Sequence, residues 1–553
     1  MTFDFSELRT AVTSRFTSAA PASTNRRRLV AAAAGLPLAM KFRPVDAQAG
    51  STELRLGMSA DISSMDPHWL NAASNAVVTR HVFDYLIDQT AAGQLVPSLA
   101  RSWRAVDSTT WEFKLRNDVR WHDGTPFTSD DVAFSVVRPK GLATPAGFAS
   151  FVRAIESIQI VDRETIRFKV STPDNAWFPD DLSNTAIIQK KASEKAEAQG
   201  DFDNGRAMIG TGPFRFVRFA RGDRVELVRN PDYWGGPSQE RPVFEKVTLR
   251  VLTQNSTRVA ALLAGEVDAI ENVPVQDLAN MRQNPAFAIS QRTSWRTIFF
   301  HMDQYREVSP FISDIDGKPL TRNPFMDIRV RTAFDKAINR AALCDRVMDG
   351  LGIPSANLLS PGVLGYNAAL KPEAYDPEGA RKLLADAGYP KGFSLTMHSP
   401  NNRYINDEQV AQTVAGMLAR IGVKTRVDGM PQAIYFPRAN RAEFSFSMIG
   451  WGSLVGDSSI RHQFGTYDEK QGWGGYNNGR GSFPELDAVL RRARSSTDPK
   501  SRSELAVEAS ALVQKNRQGI FLYHQVVTWA LRKGLSYPGR LDEYMLAPAF
   551  RTG

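Results

Sequence analysis

Short alternating stretches and longer helical repeats take turns along the chain. Residues 52–58 (T-E-L-R-L-G-M) alternate polar and apolar positions, as the edge of a sheet does. Residues 111–115 place apolar side chains at every second position, the pattern of a half-buried strand. Residues 158–161 and 165–170 predict a hairpin around Asp162-Arg163-Glu164. Gly210-Thr211-Gly212-Pro213 predicts a rigid turn feeding a strand at Phe214, with further strands at 224–228 and 247–251. Ser129-Asp130-Asp131 offers a cap for a helix through Val132 and Val136.

Helical spacing dominates later. It covers 257–263, stopped by Gly265, and 328–342, after Asn323-Pro324. It recurs from Asp376-Pro377 to Gly388, and over 407–421 before Gly422, where a strand at 423–427 follows. An Asx or Pro start and a Gly stop punctuate these segments. The mixture predicts an α/β or α+β protein in several lobes. With no internal repeat and no low-complexity linker, the chain is expected to cross between lobes more than once.

Composition narrows the class. Of 553 residues, 42% are apolar and 23% charged, which excludes a disordered chain and predicts about two to four domains. A single Cys excludes an internal disulfide framework and any Cys-based zinc module. The net charge of +9 hints at an anionic partner, but it is unevenly placed. Residues 1–49 hold seven basic and three acidic side chains, so the rest of the chain carries only +5. Its basic residues are scattered, without a stripe suited to nucleic acid.

Residues 1–49 have the layout of an export signal. Asn25-Arg26-Arg27-Arg28 precedes a twelve-residue apolar stretch, 29–40, too short to span a bilayer, and Ala47-Gln48-Ala49 offers a cleavage site. The paired arginines and modest hydrophobicity resemble a twin-arginine signal. The mature chain is then a soluble periplasmic protein.

Catalytic chemistry is scarce. No two of the seven histidines lie within five residues of each other, and no nucleophile elbow or P-loop occurs. Cys344 lies on a helical apolar face, as a buried structural thiol does.

Several stretches together resemble the family 5 solute-binding proteins of ABC importers for peptides, opines and nickel. They include Pro97-Ser98-Leu99-Ala100, the run from Val119-Arg120-Trp121-His122-Asp123-Gly124 to Phe127, and Ile209-Gly210-Thr211-Gly212-Pro213-Phe214. Asn230-Pro231-Asp232-Tyr233-Trp234, Gly265-Glu266-Val267-Asp268 and Leu383-Leu384-Ala385-Asp386-Ala387-Gly388-Tyr389-Pro390 continue it in the family's order. The resemblance implies an α/β clamshell of the type II periplasmic-binding-protein kind. Its lobe I core would be 50–95, 200–297 and 511–553, with an extra subdomain at 96–199 and lobe II at 298–510.

It also implies a function without catalysis or cofactor: capture of a solute by closure of two lobes. The partners would be a membrane permease and its ATPase subunits, and the protein would be a monomer. Asp66 and His68 are expected to line the cleft from lobe I, and Gly450-Trp451-Gly452-Ser453 to form a ligand platform in lobe II. In peptide-binding relatives an aspartate three residues after that tryptophan meets the peptide's free amine; here the position is Leu454. Asp457 is a candidate substitute, or else a helix cap. Arg403, Tyr404, Tyr435, Arg461 and Trp473 supply forked cations and aromatic faces. The expected cargo is a small organic solute with an acidic group, such as a short or modified peptide or an opine-like compound. A nickel or haem complex, with His68, His301 or His462 contributing, and an exported enzyme on the same fold are the alternatives.

Overall fold

Two strands of unusual length organise the molecule. In the computed structural model, Phe287–Met302 and Gly519–Arg532 run antiparallel through the middle of a twelve-stranded sheet. The structure describes residues 52–91, 94–142, 148–171, 178–196, 199–236, 241–453, 455–469, 472–496 and 498–553. The proposed export signal and Leu454 lie outside them.

On one side of the central pair stand Ala269–Glu271, Glu53–Met58, Lys246–Val251, Arg224–Arg229 and Phe214–Ala220, in that order. On the other stand Phe446–Trp451, Phe393–Pro400 and Ile312–Ser313, with Val423–Met430 beside Phe393–Pro400. Glu53–Met58 is parallel to both its neighbours, and Leu54 and Leu56 are fully buried. The two halves are thus lobes joined by crossing strands.

A separate four-stranded antiparallel sheet, Ala100–Ala105, Thr110–Leu115, Thr165–Val170 and Ile155–Asp162, has its own core of Phe113, Phe168, Phe178 and their neighbours. Phe113 meets Phe168 and Phe178 edge-on. The largest core runs across both halves. Leu252, Leu262 and Met281 of the first half share one buried cluster with Phe334, Phe446 and Leu522. A further cluster gathers the later helices around Phe299, Ile460, Leu490 and Val513.

Two local expectations are corrected. The helix over 328–342 is two helices, Ile328–Ala337 and Arg340–Arg346. Ile338 turns extended, and the Asn339 side chain accepts from the Ala342 amide at 2.9 Å, starting the second helix. The buried Arg340 guanidinium donates to Asp335 and to the carbonyl of Phe521, which fixes the break. At 129–131, Thr128 precedes the helix Ser129–Val137, and Asp131 accepts from the Thr128 amide at 3.0 Å. Asp131 is the third residue of a capping box and not the cap itself.

Candidate cleft and its charged walls

A bulge in the first crossing strand builds one wall of the candidate cleft. Thr293 pairs with Val526 and Thr297 with His524, so three residues stand opposite Gln525 alone. The extra residues bend the strand and re-aim Trp295 and Arg296. The Trp295 amide donates to Leu541 of the C-terminal segment at 2.9 Å. Its indole meets Tyr544 edge-on at 6.1 Å.

Arg296 donates twice to Glu543, at 3.0 and 2.9 Å, and weakly to the Gly450 carbonyl at 3.3 Å. Ser294 and Gln525 also donate to Glu543. Burial pushes the Glu543 carboxyl up, but Arg296 outweighs it and holds the group below its usual range. Glu543 has a φ of 71°, a strained backbone that these four bonds keep in place.

The other wall is Phe446–Trp451, where Thr297 faces Trp451 and Ile298 faces Gly450. Gly450 and Gly452 belong to the stretch expected to form a ligand platform. Instead, their space is taken by rings of the chain itself. A Cβ on Gly450 would fall 2.4 Å from Tyr404, and one on Gly452 would fall 2.3 Å from Trp295. The Tyr404 hydroxyl donates to the Gly450 carbonyl at 3.2 Å. Ser453 is half-buried, and its hydroxyl accepts from the Val455 amide.

Arg403 stands at this junction. Its guanidinium lies 5.3 Å from the Tyr404 ring and, among the described residues, has no hydrogen-bond partner. Burial, and then the charge of Arg296, push its pKa down. Trp451 is half-buried beside Tyr476, 4.9 Å ring to ring, and His462, at 6.4 Å. The indole N–H groups of Trp295 and Trp451 are buried without partners. This cleft therefore offers hydrogen-bond donors and flat faces.

The remaining expected residues lie elsewhere. Tyr435 is fully buried, and its hydroxyl donates to the Met448 carbonyl at 2.7 Å, so it is core, not cleft. Trp473 is buried in the helical cluster. Asp66 is buried and accepts two hydrogen bonds from Arg138, at 2.8 and 2.6 Å. His68 is fully buried, 2.8 Å from the Ala186 carbonyl, and burial pushes its pKa down to about 4. Both side chains are turned into the packing of the first half, although Asp66 also borders a cavity of about 20 Å³, room for one water.

Asp457 is bound to Arg502 at 2.8 Å, and Arg461 donates to the Gly472 carbonyl at 2.9 Å. Asp66 is thus committed to Arg138, and Asp457 shares Arg502 with Asp180. His301 lies 3.0 Å from Gln463, and His462 lies 3.2 Å from Arg461. Among the described residues no group of three or more His, Cys, Asp or Glu is placed to hold a metal ion.

Sequence reasoning missed Trp295, Arg296 and Glu543. The only local trace of the first two is a Trp-Arg pair between the polar run 290–294 and the apolar run 298–300. Nothing near Glu543 in the sequence announces a partner 247 positions away.

Two lobes on crossing strands, with hydrogen-bond donors and aromatic faces gathered at the bulge, fit the architecture of a solute-binding protein. Residues 94–469 match the family of bacterial extracellular solute-binding proteins, family 5 (middle), and the chain belongs to it. It is 25% identical over 493 residues to the dipeptide-binding protein of Escherichia coli (strain K12), covering 83% of this chain and 86% of that protein. It is 27% identical over 522 residues to the glutathione-binding protein GsiB of Pectobacterium atrosepticum, covering 92% and 95%. Its fold is that of the periplasmic binding protein DppA from Helicobacter pylori, solved with the peptide STSA. The TM-score is 0.75 at 22% identity, over 90% of this chain and 98% of that one.

The family consists of transporter binding proteins, not enzymes. Among the described residues no helix is long and apolar enough to cross a membrane.

Proposed function

We propose that this chain captures a small organic acid-bearing solute in the periplasm and delivers it to the permease and ATPase subunits of an ABC importer. The proposed export signal of residues 1–49, read as twin-arginine, and the extracellular family support that location. The lobe borders at 50–95, 200–297 and 511–553, the subdomain at 96–199 and lobe II at 298–510 belong to the same reading.

One observation carries the choice of cargo: Arg403 brings a guanidinium without a hydrogen-bond partner among the described residues to a cleft whose one carboxylate beside it, Glu543, is already paired with Arg296. A solute carboxylate satisfies that cation with forked, charge-assisted bonds. A free ammonium would find no spare anion among these groups, and with Leu454 at the family's aspartate position this favours a modified peptide or opine-like acid over an ordinary peptide. The flat face between Trp295, Trp451 and Tyr476 then takes the rest of the solute.

The test is mass spectrometry of whatever co-purifies with the exported protein, followed by titration calorimetry with that compound. Arg403→Ala is expected to weaken binding by roughly 10- to 100-fold, the worth of one hydrogen-bonded charge. A co-purifying cation without an acidic group, or unchanged affinity in Arg403→Ala, overturns the assignment.

A further inference from the structure

The two halves also meet at a charged contact away from Arg403. The short helix Phe178–Leu182 belongs to the four-stranded unit, since Phe178 and Leu182 lie in that unit's core. Asp180 on this helix accepts from Arg502 at 2.9 Å. The other arm of the same guanidinium donates to Asp457 at 2.8 Å.

Arg502 lies on Pro499–Lys515 and Asp457 on Gly456–Phe464, two helices packed into the helical cluster of the other lobe. Burial pushes the carboxyl of Asp181, next along the short helix, well above its usual range, and the charges of Arg461, Arg494 and Arg502 oppose that effect. The three paired side chains are each only 10–12% exposed. Apart, Arg502 keeps only Asp457, and Asp180 loses its arginine. Together, one guanidinium faces both carboxylates, one from each half.

We propose that this cluster is a charge clasp that holds the lobes closed and fixes the register in which they close. Burial works against Asp180, and Arg502 opposes that effect. A carboxylate brought to this spot without its arginine would be left buried and unpaired, which is far costlier than staying in water. Only one alignment of the two faces avoids that penalty. Much of the attraction is consumed in stripping water from the ions, so the closed form is favoured moderately and can still reopen.

The clasp touches none of the groups assigned to the cargo carboxylate, so it can be tested without any solute. The mature chain, stripped of bound compounds by unfolding and refolding, is measured by small-angle X-ray scattering. Asp180→Asn and Arg502→Gln are each expected to raise the radius of gyration above that of the unaltered protein. The double variant should open no further than Arg502→Gln alone, because both remove one interaction. Near-ultraviolet circular dichroism confirms folding; if Arg502→Gln fails to fold, Asp180→Asn combined with Asp181→Asn decides. An unchanged radius in the folded aspartate variants, or additive opening in the double variant, overturns the proposal. Neither result bears on the Arg403 assignment.

Discussion

His524 shows how a crossing strand handles a polar residue. It is almost fully buried, yet its ring lies 2.8 Å from Thr297, 3.1 Å from Ser360 and 2.9 Å from Ser355, all hydroxyl partners. Burial pushes its pKa down to about 3. In the unfolded chain the group titrates near 6.5. Between those values the unfolded state binds a proton that the folded state refuses, so stability falls as pH drops. The slope from this one site approaches about 1.4 kcal/mol per pH unit. His524→Asn is expected to flatten the dependence of urea-derived stability on pH between about 6.5 and 4 by that amount. An identical slope in both proteins would remove His524 as a source. The histidine was visible in the sequence, but its role was not, because its three partners come from positions 297, 355 and 360.

At the scale of the element, Asn339 decides whether one helix or two is formed. Apolar spacing continues through 338–340, which is why the periodicity reads as one helix. The cap hydrogen bond to Ala342 and the buried Arg340–Asp335 pair favour a break. Asn339→Ala is expected to cost about 1 kcal/mol in denaturant unfolding, the usual worth of a helix cap. A neutral result would mean that Arg340 alone sets the break. Most elements were legible because their signals are local. The hairpin at Asp162-Arg163-Glu164 and the Pro-started helix Pro377–Asp386, capped by Asp376, are examples. The bulge at 294–296 was not legible, since a bulge exists only relative to the partner strand.

Across the whole molecule, one apolar cluster ignores the border between lobes. Leu252, Leu262 and Met281 pack with residues as distant in sequence as Phe446 and Leu522. The two halves are therefore expected to unfold together. In native-state hydrogen exchange, the most protected amides of Ala269–Glu271 and Phe446–Trp451 should report the same opening free energy. A clear gap between them would show that the lobes unfold independently. The family motifs made the lobe count and the crossings legible in advance. Of the proposed cleft, Arg403 and Tyr404 were sequence candidates as forked cation and aromatic face and Trp451 through the family resemblance, whereas Arg296 and Glu543 meet only through long-range chain crossing.

The lone thiol has a practical consequence for watching such a protein move. Cys344 is buried, and burial pushes its pKa up to about 12, so at neutral pH it is both shielded and protonated. Maleimide dyes will pass it by. Two cysteines introduced at exposed positions, one on each lobe, would then be the sites that take label, and energy transfer between them would follow opening and closing one molecule at a time without deleting a native residue.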